Sequence, residues 1–185
     1  MKPSVVALPG GVNPAGLRYA PVLSALGGEV DLHLKDLEVY AGEEPPADYS
    51  IEGEVEAVSR FADSLGVERF HLLGYSGGGF VSLAFAGTYP ERLLSLALFE
   101  PASVPGRLSP EEADLRHRLG RELAGLSGLD FMRAFMRLQL RPGVGLAAMM
   151  AAFGRHPFDR EQLRRCDFPV FLAYGDLTGE SQAEP

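Results

Sequence analysis

Two patterns of apolar residues alternate along the chain. Ser4 to Leu8 is β-branched and apolar without alternation, which is typical of a strand buried on both faces of a parallel sheet. Pro9-Gly10-Gly11 ends that strand. After Ser50, a suitable N-cap residue, apolar side chains recur at helical spacing until Gly66. They are Ile51, Val55, Val58, Phe61 and Leu65, and they predict an amphipathic helix.

The same signals predict that helices and strands alternate up to Phe99. They indicate a helix from about Arg18 to Leu26, a strand from Val30 to Leu34, a strand from Phe70 to Leu73, a helix from Ser76 to Thr88 and a strand from Leu93 to Phe99. Pro90 separates the last helix from the last strand. This alternation is typical of an α/β fold with a mostly parallel sheet flanked by helices, and that is the fold class we expect.

A block of helices interrupts the alternation between residues 105 and 165. Ser109-Pro110-Glu111-Glu112 combines an N-cap, a first-turn proline and a capping-box glutamate. Val144 to Phe153 is apolar nearly all round, and strand character returns at Val170 to Tyr174. We therefore expect an α/β core made of residues 1–104 and 166–185, with residues 105–165 inserted as a helical cap.

Charge and apolar content exclude several classes of protein. The formal net charge is −8, whereas nucleic-acid binders usually carry a clustered basic face. The apolar stretch from Val144 to Phe153 is far short of the ~20 residues that a membrane helix needs, and residues 1–10 lack the apolar run of a signal peptide. Cys166 is the only cysteine, so no intramolecular disulfide can form. We expect a cytoplasmic protein that binds neither nucleic acid nor membranes.

The candidate chemistry lies between Phe70 and Phe80. This segment is a buried strand, then the G-x-S-x-G motif Gly74-Tyr75-Ser76-Gly77-Gly78, then a helix. A serine on a sharp strand-to-helix turn takes an unfavourable backbone conformation, and glycines two residues to either side relieve the crowding. The turn also places the serine at a helix N-terminus, where backbone N–H groups stabilise developing negative charge. The motif therefore predicts Ser76 as a catalytic nucleophile.

These glycines have two other interpretations besides a catalytic turn. A glycine-rich turn can simply let a helix pack closely on a sheet, and that alternative stays open. A phosphate-binding loop is disfavoured, because Gly74 to Gly79 lacks the G-K-[ST] ending and Gly10 to Gly16 lacks a third glycine at dinucleotide spacing. We expect neither a cofactor nor a metal ion.

With this motif between a strand and a helix, the chain resembles the α/β-hydrolase fold superfamily over nearly its whole length. Leu8-Pro9-Gly10-Gly11 is similar to the family's His-Gly-type loop, with Pro9 in place of the histidine. The resemblance implies an oxyanion hole made by the backbone N–H groups of Gly11 and Gly77. His33 to Leu37 is similar to the family's strand-then-aspartate region, and residues 105–165 resemble its helical cap.

The resemblance also implies a catalytic acid, for which two residues compete. The family usually places it last in a Gly-x-x-Asp pattern after the strand that follows the cap, but Gly175-Asp176-Leu177-Thr178 has a threonine there. Asp176 could serve only if the loop were rearranged. Glu100 follows the Leu93 to Phe99 strand, where some members carry the acid, and we favour it over Asp176. A merely polar residue at a strand end is the alternative for Glu100.

The chain offers four histidines, and none fits the family's catalytic base. His33 and His71 lie in predicted strands, where core or surface roles suit them better. His117 and His156 fall in the predicted cap and could line a pocket. The family's base belongs on a loop after a later strand, so we expect that the sequence stops short of it; a degenerate family member is the alternative.

The resulting functional prediction is a serine hydrolase that cleaves an ester-type bond through an acyl-enzyme on Ser76. Serine at the elbow favours acyl chemistry, because dehalogenases and epoxide hydrolases of this fold use aspartate there. Phe and Met side chains of the predicted cap favour an apolar acyl group in a small-molecule substrate, although such a stripe is more often simple packing. The alternative is a non-catalytic protein that binds a small hydrophobic ligand on the same scaffold.

Overall fold

A parallel sheet organises the described residues, which are 2–11, 14–26, 28–42, 44–102 and 143–174 of this computed structural model. Its strands are β1 (Ser4–Leu8), β2 (Asp31–Leu34), β3 (Phe70–Tyr75), β4 (Leu93–Phe99) and β5 (Val170–Ala173). They lie in the order β2-β1-β3-β4-β5, and every neighbouring pair is parallel. The predicted fold class, a mostly parallel α/β sheet, is confirmed.

Helices and short 3₁₀ turns connect the strands. They are α1 (Ala15–Leu26), a 3₁₀ turn (Glu38–Tyr40), α2 (Ile51–Ser64), α3 (Gly77–Thr88), a second 3₁₀ turn (Pro90–Arg92), α4 (Gly143–Arg155) and α5 (Arg160–Arg164). α1 begins three residues before the predicted start at Arg18. The reason is tertiary, because the backbone N–H of Ala15 donates to the carboxylate Oδ1 of Asp36 at 2.7 Å. A helix start stabilised by a side chain so distant in sequence leaves no local signal.

The helix α2 forms as its sequence predicts. The Ser50 hydroxyl accepts a hydrogen bond from the backbone N–H of Gly53 at 3.1 Å, and Gly66 follows the helix with a φ of +68°. Ile51, Val55 and Val58 of the predicted apolar face are buried, whereas Leu65, which was expected on the same face, follows the helix and is exposed. β3 runs two residues past the predicted Leu73, because Tyr75 pairs with Phe99 of β4.

The hydrophobic core fills the space between the sheet and the helices on one face. Val6 and Leu8 of the interior strand β1 face this core, Ala7 faces a second cluster on the other side of the sheet, and all three are fully buried, as predicted for a strand covered on both faces. Phe80 of α3 stacks on Phe153 of α4, with ring centroids 4.0 Å apart and planes 11° apart. Therefore α4 packs directly on the helix that follows Ser76.

The helical block is described only in part. Residues 103–142, which include the predicted helix start at Ser109 and the predicted cap histidine His117, lie outside the described residues. The apolar stretch from Val144 to Phe153 falls within α4, and strand character returns in β5 as predicted. Within the described parts of the chain, every helix is too short or too polar to cross a membrane.

Candidate active site

Ser76 occupies the turn between β3 and α3. Its backbone angles are φ +51° and ψ −115°, a combination that residues with a Cβ rarely adopt. The residue is half-buried and immediately precedes Gly77, the first residue of α3. The first N–H groups of a helix have no partner within the helix, so a group placed beside Ser76 meets backbone donors and the positive end of the helix dipole.

The glycines on either side allow the backbone to approach itself closely. A Cβ on Gly74 would lie 2.6 Å from the carbonyl oxygen of Gly78, and a Cβ on Gly78 would lie 2.7 Å from the carbonyl oxygen of Leu8. Both obstacles are backbone atoms and cannot move aside cheaply. The turn therefore requires glycine at both places. This agrees with the steric argument from the sequence, in which glycines two residues to either side of Ser76 relieve crowding.

Glu100 is the second strained residue beside this turn. Ser76 and Glu100, with φ values of +51° and +43°, are the only non-glycine residues of positive φ in the described ranges. The backbone N–H of Glu100 donates to the carbonyl oxygen of Ala173 at 2.8 Å. The exposed Glu100 thus sits where β4 ends, next to the ends of β3 and β5. Strain of this kind is concentrated at functional sites.

Gly11 and Gly77 lie next to each other beside the turn. The position that a Cβ on Gly77 would take lies 3.4 Å from the backbone nitrogen of Gly11, and both glycines are buried. The loop after β1 and the start of α3 therefore bring both residues proposed for the oxyanion hole to one place. Backbone N–H groups aimed at one oxygen stabilise an oxyanion, which is the role that the resemblance implies for these two residues.

Two further residues, which the sequence does not indicate, lie beside Gly11 and Gly77. The phenol hydroxyl of Tyr40 donates a hydrogen bond to the carbonyl oxygen of Gly11. Met149 of α4 is 2% exposed, and its Sδ lies 2.9 Å from the place of a Cβ on Gly77. α4 therefore covers the beginning of α3 with an apolar side chain.

A buried carboxylate supports the turn that carries Tyr40. Glu54 is fully buried and accepts hydrogen bonds from the backbone N–H groups of Glu38 at 3.0 Å and Val39 at 3.2 Å, and from the Tyr49 hydroxyl at 2.9 Å. Burial raises the pKa of Glu54, and these hydrogen bonds act against the increase. The signal that could have found it is its place beside Val55 on the apolar face of α2.

A family comparison agrees with this architecture. The model of the alpha/beta hydrolase fold family matches residues 11–164. The chain belongs to the α/β-hydrolase fold family. The match includes Gly11, Ser76, Gly77 and Glu100, the described residues singled out for chemistry.

Known relatives of this α/β hydrolase fold chain cover it in part. It is 40% identical to a monoacylglycerol lipase from Xenopus laevis over 42% of this chain and 23% of the lipase. It is 32% identical to RutD of Pseudomonas savastanoi pv. phaseolicola, assigned as a carbamate hydrolase, over 62% of this chain and 45% of RutD. The chain thus spans less than half the length of either relative. A crystal structure of a hydrolase from Pseudomonas aeruginosa superimposes with a TM-score of 0.73 at 24% identity, covering 98% of this chain and 76% of that one, which shows the shared fold.

Two of the three described histidines of this α/β hydrolase fold chain contact side chains other than Ser76. The third lies in an edge strand of the sheet. The His71 Nδ1 lies 2.7 Å from the Ser95 hydroxyl across β3 and β4. His156 Nδ1 lies 2.8 Å from the Glu52 carboxylate. The pKa of Glu52 is lowered, first by a backbone hydrogen bond at its own N–H and then by His156. His33 is half-buried in the edge strand β2.

Two further candidate residues, Asp176 and His117, lie outside the described residues. The described ranges hold no group of three or more His, Cys, Asp and Glu side chains suited to a metal ion. The structure therefore brings together Ser76, Gly11, Gly77 and the Glu100 turn.

Proposed function

We propose that the protein is a serine hydrolase that breaks an ester-type bond, in an ester, thioester or lactone, through an acyl-enzyme on Ser76. One observation carries the proposal. Ser76 is held at a φ of +51° at the N-terminus of α3, where Gly11 and Gly77 lie next to each other. A structural turn gains nothing from placing a strained serine there, whereas a nucleophile requires it.

The proposed reaction has two steps. The Ser76 oxygen attacks the carbonyl carbon and loses its proton to a base, while the Gly11 and Gly77 N–H groups stabilise the oxyanion. The bond to the leaving group then breaks, and the base returns the proton to that group. Water activated by the same base attacks the acyl-enzyme and releases the acid and the free serine.

The proposed reaction also needs a base and a carboxylate partner for it. The base would be a histidine outside the described residues. Glu100 is the favoured carboxylate, because its strained turn adjoins that of Ser76, and Asp176 is the competing candidate. A carboxylate of this kind fixes the tautomer of the histidine and stabilises its charged form.

An apolar acyl group is the proposed substrate feature. Met149 covers Gly77 from α4, and the face of α4 that meets α3 also carries Phe153. Partial similarity to a monoacylglycerol lipase supports the same class of substrate.

The single cysteine in the sequence favours a reducing compartment, so we propose a cytoplasmic location.

Hydrolysis of p-nitrophenyl acetate and p-nitrophenyl octanoate by the full-length protein tests the proposal. We expect turnover that Ser76→Ala lowers by at least about 10³-fold, because the nucleophile carries most of the rate enhancement. Ser24→Ala, which changes an exposed serine of α1, is the matched control and should leave turnover unchanged. Absence of turnover, or equal turnover by Ser76→Ala, would favour the hydrophobic-ligand binder instead.

A further inference from the structure

We infer that Tyr40 is a positioning residue, whose hydroxyl binds the Gly11 carbonyl and thereby restrains the loop that carries the Gly11 N–H. The inference rests on the proposed function, since it assigns the support of one proposed oxyanion donor. Tyr40 ends the 3₁₀ turn after β2, and its hydroxyl donates to the carbonyl oxygen of Gly11. The side chain therefore reaches from one loop to another at the carboxyl edge of the sheet.

Gly11 needs such a restraint because of its own chemistry. A glycine has the widest choice of backbone angles, so a donor N–H carried by glycine loses the most conformational freedom when it is held in one direction. The carbonyl group that Tyr40 binds and the backbone nitrogen that lies near Gly77 are both bonded to the Cα of Gly11. The carbonyl lies in the peptide after Gly11 and the N–H in the peptide before it, so the hydrogen bond holds the shared Cα and thereby restrains the loop that carries the N–H. Pre-orientation of donors is a large source of oxyanion stabilisation.

Tyr40 is itself held from two sides. A Cβ on Gly145 would lie 2.9 Å from the Tyr40 Cδ1, so α4 presses its backbone against the phenol ring. On the other side, Glu54 binds the backbone N–H groups of Glu38 and Val39 in the same turn. Lys35 adds a hydrogen bond from its Nζ to Glu38 at 2.7 Å. The hydroxyl is thus placed by packing and by buried hydrogen bonds before any substrate arrives.

Removing only the hydroxyl tests the first part of this arrangement. In Tyr40→Phe the ring still fills the space beside Gly145, while the Gly11 carbonyl loses its partner. We expect kcat on p-nitrophenyl butyrate to fall about tenfold with KM changed less than about twofold, because removing an oxyanion donor outright costs ~10² to 10³ and here the donor is only loosened.

Tyr19→Phe is the matched control for the lost hydrogen bond. The buried Tyr19 hydroxyl donates to the carbonyl oxygen of Leu8 at 2.6 Å, in the strand that leads to Gly11. Both variants remove one tyrosine-to-carbonyl hydrogen bond from the same segment. We expect both to lower the melting temperature, but only Tyr40→Phe to lower kcat about tenfold.

Gly145→Ala tests the packing from the opposite side. The added methyl group has to displace the Tyr40 ring, so kcat should fall although alanine favours a helix. Gly154→Ala changes another glycine of α4 that has nothing within 4 Å, and it should leave kcat unchanged. A lower kcat without a lower melting temperature in Gly145→Ala would separate positioning from general loosening of the fold.

The outcomes distinguish the inference from the function on which it rests. If wild type shows no turnover that depends on Ser76, the proposed function fails and the role of Tyr40 fails with it. If wild type turns over and Tyr40→Phe keeps a kcat within about twofold of wild type, only the positioning role is overturned. An equal loss of kcat in Tyr19→Phe would also overturn it, because the effect would then be loss of stability.

Discussion

The backbone N–H of Ser76 donates a hydrogen bond to the carbonyl oxygen of Phe99 at 3.0 Å. This contact joins the turn after β3 to the end of β4, one residue before Glu100. The N–H of Ala102 returns a hydrogen bond to the Ser76 carbonyl oxygen at 2.9 Å. The two strained turns are thus tied to each other by backbone atoms, at the carboxyl edge of a parallel sheet, where α/β proteins place their ligands.

Gly78→Ala should damage this turn. The added Cβ would lie 2.7 Å from the oxygen and 2.8 Å from the carbonyl carbon of Leu8, so the backbone of β1 or α3 has to shift. We expect a loss of about 1–3 kcal/mol in the free energy of unfolding and a loss of Ser76-dependent turnover. Urea denaturation and the p-nitrophenyl ester assay measure the two effects.

Gly87→Ala is the control in the same helix. Its new methyl group would meet its nearest neighbours, Gln162 and Leu163, at an ordinary contact distance of 3.7 Å. Because alanine favours a helix over glycine, stability should stay equal or rise by up to ~1 kcal/mol. A similar loss of stability in both variants would show that the close approach at Gly78 is not the cause.

The competing acids are separated by paired isosteric variants. We expect Glu100→Gln to lower kcat by about 10³- to 10⁴-fold, because a neutral amide cannot stabilise the charged histidine, and Asp176→Asn to change it by less than about tenfold. Steady-state kinetics of both variants on one ester measure the difference. The reverse order of effects would assign the acid to Asp176 and reduce Glu100 to a strained strand end.

The sequence predicted those elements whose signals are local. The helix α2 has its cap at Ser50, its apolar face and its closing Gly66 within one segment, and β1 shows its burial by composition alone. The sequence also predicts, on steric grounds, that the turn at Ser76 needs glycine on both sides. The structure shows which backbone atoms a Cβ would meet at those positions. Site residues of this kind can be found because the backbone itself restricts which amino acids fit.

Contacts between distant segments could not be predicted in this way. Ala15 at the start of α1 donates to Asp36, and Tyr40 donates to the Gly11 carbonyl, with no pattern in the sequence to join either pair. Glu54 was missed although it interrupts the apolar face of α2, because a charged residue there is readily taken for a solvent-exposed one. The roles of such residues depend on hydrogen-bond partners that only the folded chain brings close to them.

Glu54→Gln should have an effect on stability that depends on pH. Burial raises the pKa of Glu54 in the folded state. The folded protein therefore binds a proton at the Glu54 carboxyl group more tightly than the unfolded chain does. The stabilisation from the protonated group is complete below the unfolded pKa of about 4.5 and is lost as pH rises through the folded pKa. The wild type should therefore exceed Glu54→Gln in stability by more at pH 5 than at pH 8.

Urea denaturation of both proteins between pH 5 and pH 8 measures this difference. Other titrating groups are common to the two proteins and cancel in the comparison. A difference that grows toward pH 8 would mean that the buried group is stabilised as a carboxylate, and the assigned direction of the pKa shift would be wrong.

Arg92→Ala should lower stability through several lost hydrogen bonds. The Arg92 side chain is 17% exposed and donates to the Glu68 carbonyl at 2.6 Å, to the Asp63 carboxylate at 2.8 Å and to the Ser59 hydroxyl at 3.2 Å. We expect a loss of about 1–3 kcal/mol by urea denaturation. Arg164→Ala is the control, since that side chain is 76% exposed with Glu161 at 3.4 Å, and its effect should stay within about 0.5 kcal/mol.

Covalent labelling by a fluorophosphonate tests most directly whether Ser76 is an activated nucleophile. The full-length protein is treated with the probe, and intact-mass and peptide mass spectrometry locate the adduct. We expect one adduct, on the peptide that contains Ser76, and none in Ser76→Ala. An unlabelled wild type, or a label that persists in Ser76→Ala, would contradict the catalytic role of this serine.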